Sequence, residues 1–201
     1  MTADGIPFSP AAERNSEPIA KRLVPLMQAV ETVLEIGSGS GQHAVYLGKR
    51  LPHLTWQPSD LRENLQGIEQ RLGQAGLPNV LPPLYIDVDQ RPWPVQQTGA
   101  VFSANTLHIM SWSSVESMVE EVSRVLESKG LLCLYGPFRY REAHTSESNA
   151  QFDVSLRARD PRSGIRDFEA VCELAQRHSL VSETDYGMPA NNRLLVFRKQ
   201  A

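Results

Sequence analysis

The sequence predicts an α/β fold built on a mostly parallel sheet. Short apolar runs at residues 32–36, 54–57, 84–88, 100–104 and 131–135 alternate with stretches whose apolar residues recur at helical spacing. Such alternation implies parallel strands joined by right-handed helical crossovers. The first run ends in a glycine-rich turn. The fifth is apolar throughout, as a strand covered on both faces should be.

Residues 1–15 read as a polar arm, and residues 1–30 as arm plus first helix. Ser16 can cap that helix, whose apolar face is Ile19, Leu23, Leu26, Met27 and Val30. Pro25 lies inside the pattern and is expected to kink or split it. After the first strand, residues 42–50 form a helix. The second strand, 54–57, is expected to stop at Pro58. Leu65, Ile68 and Leu72 mark the next helix, ended in the Gly73 to Gly76 region. Strands follow at 84–88 and 100–104. A long amphipathic stripe from Trp112 to Leu126 comes next, with Gly130 as its stop signal. After the fifth strand, residues 136–166 read as an irregular insertion with a short helix around 152–159. A helix at 167–177 and strands near 180–186 and 193–198 complete the chain. The short loop between the last two strands suggests an antiparallel edge.

The 201 residues suit one domain. With 41% hydrophobic and 21% charged residues the composition is globular. A net charge of −3 offers no broad basic field for a nucleic-acid backbone. No apolar stretch approaches the ~20 residues that span a bilayer, and no signal-peptide pattern opens the chain. Cys133 and Cys172 read as buried thiols, so a reducing cytoplasm is the expected compartment. The five histidines show no paired helical ligand spacing and there is no Cys-x-x-Cys, so no metal is expected.

The strongest chemical signal is Glu35-Ile36-Gly37-Ser38-Gly39-Ser40-Gly41, at the end of the first strand. Glycines let the backbone turn sharply and let a ligand approach it, beyond the carboxyl end of a parallel strand. The dinucleotide fingerprint places its third glycine at the sixth position of the motif, where Gln42 stands, which argues against a pyrophosphate ligand. Asp60, ending the second strand, can accept hydrogen bonds from ribose hydroxyls or simply start the next helix. Asp87, in Tyr85-Ile86-Asp87-Val88-Asp89, can reach an adenine amino group, with Asp89 or a plain turn acid as alternatives. Ser103-Ala104-Asn105-Thr106-Leu107-His108 follows the fourth strand, where substrate would meet cofactor. His108 is a candidate base there, or a structural histidine.

Together these segments, from about Val33 to Tyr135, resemble class I S-adenosylmethionine (SAM)-dependent methyltransferases. The resemblance implies a Rossmann-like, seven-stranded sheet in the order 3-2-1-4-5-7-6, strand 7 antiparallel, with helices on both faces. It implies cofactor contacts from Glu35, Gly37, Ser38, Gly39 and Gly41, from Asp60 and Leu61, from Asp87 and Val88, and from Asn105, Thr106 and Leu107. Further tracts resemble a methyltransferase-like domain-of-unknown-function family with bacterial and animal members. They are Ala12-Glu13-Arg14-Asn15, Glu17-Pro18-Ile19, Ala104 to Ile109, Gly136-Pro137-Phe138, Ser148-Asn149, Phe152-Asp153 and Met188 to Asn192. That resemblance implies that Arg14 and Asn15 close over the cofactor and that Asn149, Phe152 and Asp153 build an acceptor pocket within the 136–166 insertion.

The function expected is transfer of a methyl group from SAM, leaving S-adenosylhomocysteine (SAH), to a small molecule. His108 or Asp153, with Tyr140 as a further candidate, would orient or deprotonate the acceptor. The tract after the fourth strand lacks the prolines usual in enzymes that methylate base nitrogens, so nucleic acid is not the expected partner. A SAM-binding sensor or partner subunit without catalysis is the rival reading. A protein or RNA methyltransferase and an NAD-dependent oxidoreductase rank below both.

Overall fold

The computed structural model describes residues 5–201, so the first four residues of the expected arm lie outside the described residues. Helix α1 spans Pro10–Leu26 and is capped by Ser9, whose Oγ accepts from the Ala12 amide at 3.2 Å. The cap therefore lies well before Ser16, which is buried inside the helix and bonds back to the Ala12 carbonyl. Pro10 occupies the first turn, where a missing N–H costs nothing. Pro25 falls in the last turn, and the helix ends one residue later rather than splitting around it.

The remaining elements are β1 (Thr32–Ile36), α2 (Gln42–Gly48), β2 (Thr55–Asp60), α3 (Arg62–Ala75), β3 (Leu84–Tyr85), β4 (Thr98–Ala104), α4 (Trp112–Val125), β5 (Leu126–Tyr140), β6 (Ala143–His144), α5 (Glu147–Arg159), β7 (Arg166–Asp167), α6 (Phe168–Arg177), β8 (Leu180–Gly187) and β9 (Asn192–Lys199). The main ladder runs β3-β2-β1-β4-β5-β9-β8. Pairing is parallel from β3 through β5, and β9 is antiparallel to both β5 and β8. This is the expected order of seven. Two short strands, β6 and β7, bring the total to nine by pairing with the far end of β5.

Several boundaries differ, for physical reasons. Pro58 does not stop β2, which continues to Asp60. On the β3 side, Trp56 pairs with Asn79 and Leu81 and Asp60 accepts from Ile86, so the missing N–H of Pro58 falls in a gap of that ladder. β3 ends at Tyr85 because the chain turns at Asp87, whose carboxylate accepts from the Asp89 amide at 3.0 Å. Gly130 is not a stop signal. Helix α4 passes directly into β5, and Gly130 sits in an irregular stretch of it between the pairings Thr98–Leu126 and Ala100–Leu131. β5 also runs on to Tyr140, so the insertion opens as strand, and α5 is longer than expected.

The strands divide two cores by their period of two. Val33, Ala100, Phe102 and Cys133 pack under α1 and α2, with Ile19, Leu23 and Leu47. Leu34, Val101, Leu132 and Leu134 pack under α4 and α6, with Met118, Val122 and Leu174. Helices thus cover both faces, and all strand ends that matter chemically open at one edge. Among the described residues no helix is long and apolar enough to cross a membrane.

One polar pair lies inside the first core. Trp56, fully buried, donates its indole N–H to Glu35 Oε2 at 2.9 Å. Burial raises the Glu35 carboxyl to about 7, against the pull of the Trp56 and Ser38 hydrogen bonds. Between its ordinary value near 4.5 and about 7, the unfolded chain loses this proton while the folded chain keeps it. Stability should therefore fall across that window, by about 3 kcal/mol from this group, and stay level above it. Glu35→Gln should remove the slope: urea unfolding at pH 5 and pH 8 should show the variant gaining on the wild type only at the higher pH.

Candidate functional site

The turn after β1 is built from backbone. Gly37, Gly39 and Gly41 all take positive φ, at 72°, 56° and 71°. A Cβ on Gly37 would lie 2.7 Å from Thr106 Oγ1, so this glycine permits close packing of the turn on the segment after β4. A Cβ on Gly39 would meet nothing within 4 Å, because that side of the turn faces an open cleft. The turn is also anchored laterally. The Gly37 and Ser38 amides donate to the Ser59 carbonyl at 3.1 and 3.0 Å, and the Gly39 amide donates to Asp60 Oδ2 at 2.6 Å. Asp60 Oδ1 accepts from Leu61 N and Asn64 Nδ2. This carboxylate joins the turn to the start of α3 and keeps lone-pair capacity on Oδ2.

Gln42 ties the N-terminal segment to the same turn. Its Oε1 accepts from the Ser9 amide at 2.7 Å and from Ser40 Oγ at 2.8 Å, while its Nε2 donates to Glu13 Oε2 at 3.1 Å. Arg71 adds bonds to the carbonyls of Ser40 and Pro7. Arg14 and Asn15 are thereby held along one wall of the cleft. Behind them, Ser16 Oγ lies 3.3 Å from His43 Nδ1, and burial lowers His43 to about 4.

The cleft, about 530 Å³, opens between this turn and the insertion. Asn105 leaves β4 with φ 59° and its amide bonded to the Tyr135 carbonyl. That bend brings His108 to the cleft wall, where its ring meets Phe152 edge to face at 5.3 Å. Burial, reinforced by the charge of Arg166, lowers His108 to about 4, so its imidazole is neutral at neutral pH.

The backbone around His108 is held by one segment. Arg166 Nε donates to the Leu107 carbonyl at 3.1 Å, the Gly164 amide to that of His108 at 2.9 Å, and Ser163 Oγ to that of Ile109 at 2.6 Å. Arg166 Nη2 reaches the carbonyls of Met110 and Arg162. Asp153 holds this segment in turn, since Oδ1 accepts from the Ile165 amide at 2.6 Å and Oδ2 from Arg157 Nε at 3.0 Å. Burial works to raise the Asp153 carboxyl, but Arg157, the Ile165 amide and His144 outweigh it and hold it below the ordinary range.

The candidates named from the sequence therefore separate. Arg14, Gly37, Ser38, Gly39, Asn105 and His108 line the cleft. Asp60 lies directly behind Gly39. Glu35 is sealed beneath, on Trp56. Gly41 starts α2, Thr106 packs on Gly37 and Leu107 is buried. Leu61, Asp87 and Val88 do not line the cleft, and both Asp87 oxygens take local donors, from Asp89 N and Gln90 Nε2. Asp153 and Tyr140 also stand away from it. Tyr140 donates to Asp185 Oδ2 at 2.7 Å, and burial together with that carboxylate pushes its hydroxyl well up. The geometry gives Asp153 an anchoring contact in place of the base expected of it. Gln42 and Arg166 had no sequence signal of their own beyond residue type. Among the described residues no three His, Cys, Asp or Glu side chains gather as a metal site.

A family model described as "Protein of unknown function (DUF938)" matches residues 6–199. The chain belongs to the DUF938 family. Residues of this DUF938 chain are 29% identical over 102 positions to the uncharacterized methyltransferase YodH of Bacillus subtilis (strain 168), covering 51% of this chain and 41% of that protein. Its fold is similar to an O-methyltransferase family protein from Burkholderia thailandensis, with TM-score 0.83 at 15% identity over 95% of this chain and 58% of the other. It is similarly close to human N-acetylserotonin methyltransferase in complex with SAM, with TM-score 0.82 at 12% identity over 95% of this chain and 53% of the other. The chain thus spans less than two thirds of each of these relatives, and its fold is that of the Rossmann-like methyltransferases.

Replacing Arg166 by Met should leave buried carbonyls without donors. We expect a loss of about 3 kcal/mol in urea unfolding, from several net hydrogen bonds and the desolvation of their partners. Amide exchange at Gly164 should accelerate, and the His108 ring should titrate higher once the neighbouring charge is gone.

Proposed function

We propose that residues 1–201 work as one SAM-dependent methyltransferase domain acting on a small molecule. The observation that carries this reading is the open face of Gly39, on a turn held by Asp60, at the floor of a cleft beyond the ends of β1 and β4. The backbone there leaves room for a ligand, and the residues around it are assigned to the parts of SAM as follows. Gly37, Ser38, Gly39 and Gly41 shape the floor, with Glu35 fixing the strand below it. Asp60 is assigned to the ribose and Arg14 to the carboxylate, whereas Leu61 at the ribose and Asp87 and Val88 at the adenine rest on the resemblance alone, since all three lie outside the cleft lining. Asn105, Thr106 and Leu107 form the side towards the acceptor. The relatives support the reading: the Burkholderia thailandensis protein is of an O-methyltransferase family, and the human one is in complex with SAM.

When bound, SAM supplies a methyl group activated on a sulfonium sulfur. The protein's part is to aim the acceptor and receive its proton. His108 is the group placed for this. Its neutral ring can accept a hydrogen bond from an acceptor O–H or N–H and take the proton as the new bond forms, then release it to solvent. The size of the cleft, about 530 Å³, suits a small acceptor beside the cofactor.

Asp60→Ala should weaken SAM binding by about 1.5–3 kcal/mol, as for a lost hydrogen bond to a charged group, read by calorimetry. Unchanged affinity in the folded variant would remove Asp60 from the ribose site. The function itself is tested with SAM labelled in the transferable methyl, incubated with protein and a fractionated extract against a heat-killed control. Label in the small-molecule fraction is the expected result. Label in protein or RNA overturns the acceptor class. No label with SAM bound favours a non-catalytic SAM-binding subunit.

A further inference from the structure

The cleft wall opposite the glycine turn carries a pattern that the methyltransferase reading does not use. Asn149 and Asn192 both line it. Asn149 Nδ2 donates to the Asn191 carbonyl at 3.2 Å and to Thr145 Oγ1 at 3.0 Å. Asn192 Nδ2 donates to the Pro189 carbonyl at 3.3 Å and to the Tyr135 hydroxyl at 3.1 Å. A carbonyl can only accept, so the near atom of each carboxamide must be nitrogen. The orientation of both side chains is thereby fixed, and each Oδ1 is left as an acceptor with no donor among the described residues. Asn149 is 7% exposed as a whole, and its Oδ1 is not sealed in the interior, so this acceptor opens to the cleft where a ligand's donor can reach it.

The same wall is apolar and nearly uncharged. Phe152 and Ile109 remain 39% and 60% exposed at the cleft, beside Pro137. Of the described residues lining the cleft, Arg14 alone carries a formal charge, and it stands on α1. No carboxylate lines the cleft to meet an ammonium group, and no second cation is present to meet a phosphate or carboxylate on the acceptor. Burying an unpaired charge in such a place is strongly unfavourable.

We propose that this wall is the acceptor subsite and that it takes an uncharged, planar ring compound that donates hydrogen bonds through hydroxyl or N–H groups. Asn149 and Asn192 read the donors, and Phe152 and Ile109 flank the ring. The assignment of this ligand as the methyl acceptor rests on the function proposed above; the chemistry of the wall does not.

The test uses three probes sharing one ring system, naphthol, naphthoate and naphthylmethylammonium. Binding is measured by ligand-observed NMR on the full chain, alone and with SAH, and SAH affinity is measured separately by calorimetry. Naphthol should bind about fivefold or more tighter than either charged probe, the loss expected for a charge without a partner. Phe152→Ala should weaken naphthol by a similar factor and leave SAH affinity unchanged. Asn192→Asp, which places a carboxylate on the wall, should turn the preference towards the ammonium probe; Asn149→Asp is the second variant if the first does not fold. Equal binding of the three probes, preference for a charged probe, or no binding by any of them overturns the proposal. So does a fall in SAH affinity, rather than probe affinity, in the asparagine variants, which would give these acceptors to the cofactor. Naphthol binding with no SAH binding would sustain the subsite and sink the methyltransferase reading.

Discussion

Four consecutive carbonyls, from Leu107 to Met110, set the terms for the site. The chain has left β4 and has not yet entered α4, so strand and helix offer them no partners. Buried backbone carbonyls need donors, and here one short segment, Ser163 to Arg166, supplies all four. Arg166 serves two of these carbonyls and that of Arg162, which a planar guanidinium with several N–H groups can do and an ammonium cannot match. The position of His108 is therefore a by-product of hydrogen-bond satisfaction elsewhere. Its ring meets Phe152 edge to face and makes no hydrogen bond among the described residues, which leaves its nitrogens for a ligand.

The latch is closed through α5. Asp153 takes the Ile165 amide, and the adjacent Phe152 lays its ring on His108. Successive residues on a helix point about 100° apart, so one position can face the cleft while the next grips the loop behind it. The far end of the cleft is secured differently. Gln42 and Arg71 hold Pro7, Ser9 and Glu13 through side chains, partly in contact with solvent. Buried or part-buried bonds at one wall and part-buried or exposed bonds at the other imply that the α1 side opens somewhat more readily.

Much of this was legible in the chain. The unbroken apolar run at 131–135 marks a strand covered on both faces, as found with Leu132 and Leu134 in one core and Leu131 and Cys133 in the other, and the glycine spacing marks the turn that the strands present. What escaped has physical causes. Pro58 breaks strands in general but not where its side of the ladder has a gap. Gly130 resembles a helix stop, yet Lys129 takes the positive φ and the chain is already strand. Residue type marks Asp153 and Tyr140 as possible bases, but which way a side chain turns depends on the packing of α5 and β5, and both found partners away from the cleft. Arg166 was invisible because its partners are backbone carbonyls, which carry no sequence signature.

In the function proposed above, the same arrangement makes His108 a weak base. Arg166 sits behind it as a buried cation, and burial plus that charge hold the imidazole near 4. Such a ring is a weak base and would remove little from a resting hydroxyl. It is overwhelmingly neutral at neutral pH, so it is available to accept. An oxygen or nitrogen that is gaining a methyl group becomes far more acidic as the bond forms, and a weak base suffices at that moment. A stronger base would have required a carboxylate facing the ring, and a carboxylate on the wall that carries Asn149 and Asn192 would draw a cationic acceptor. In the function proposed above, the neutral histidine, the uncharged wall and the carbonyl-bound arginine together serve one end, that of handling a proton beside a wall with no carboxylate among the described residues.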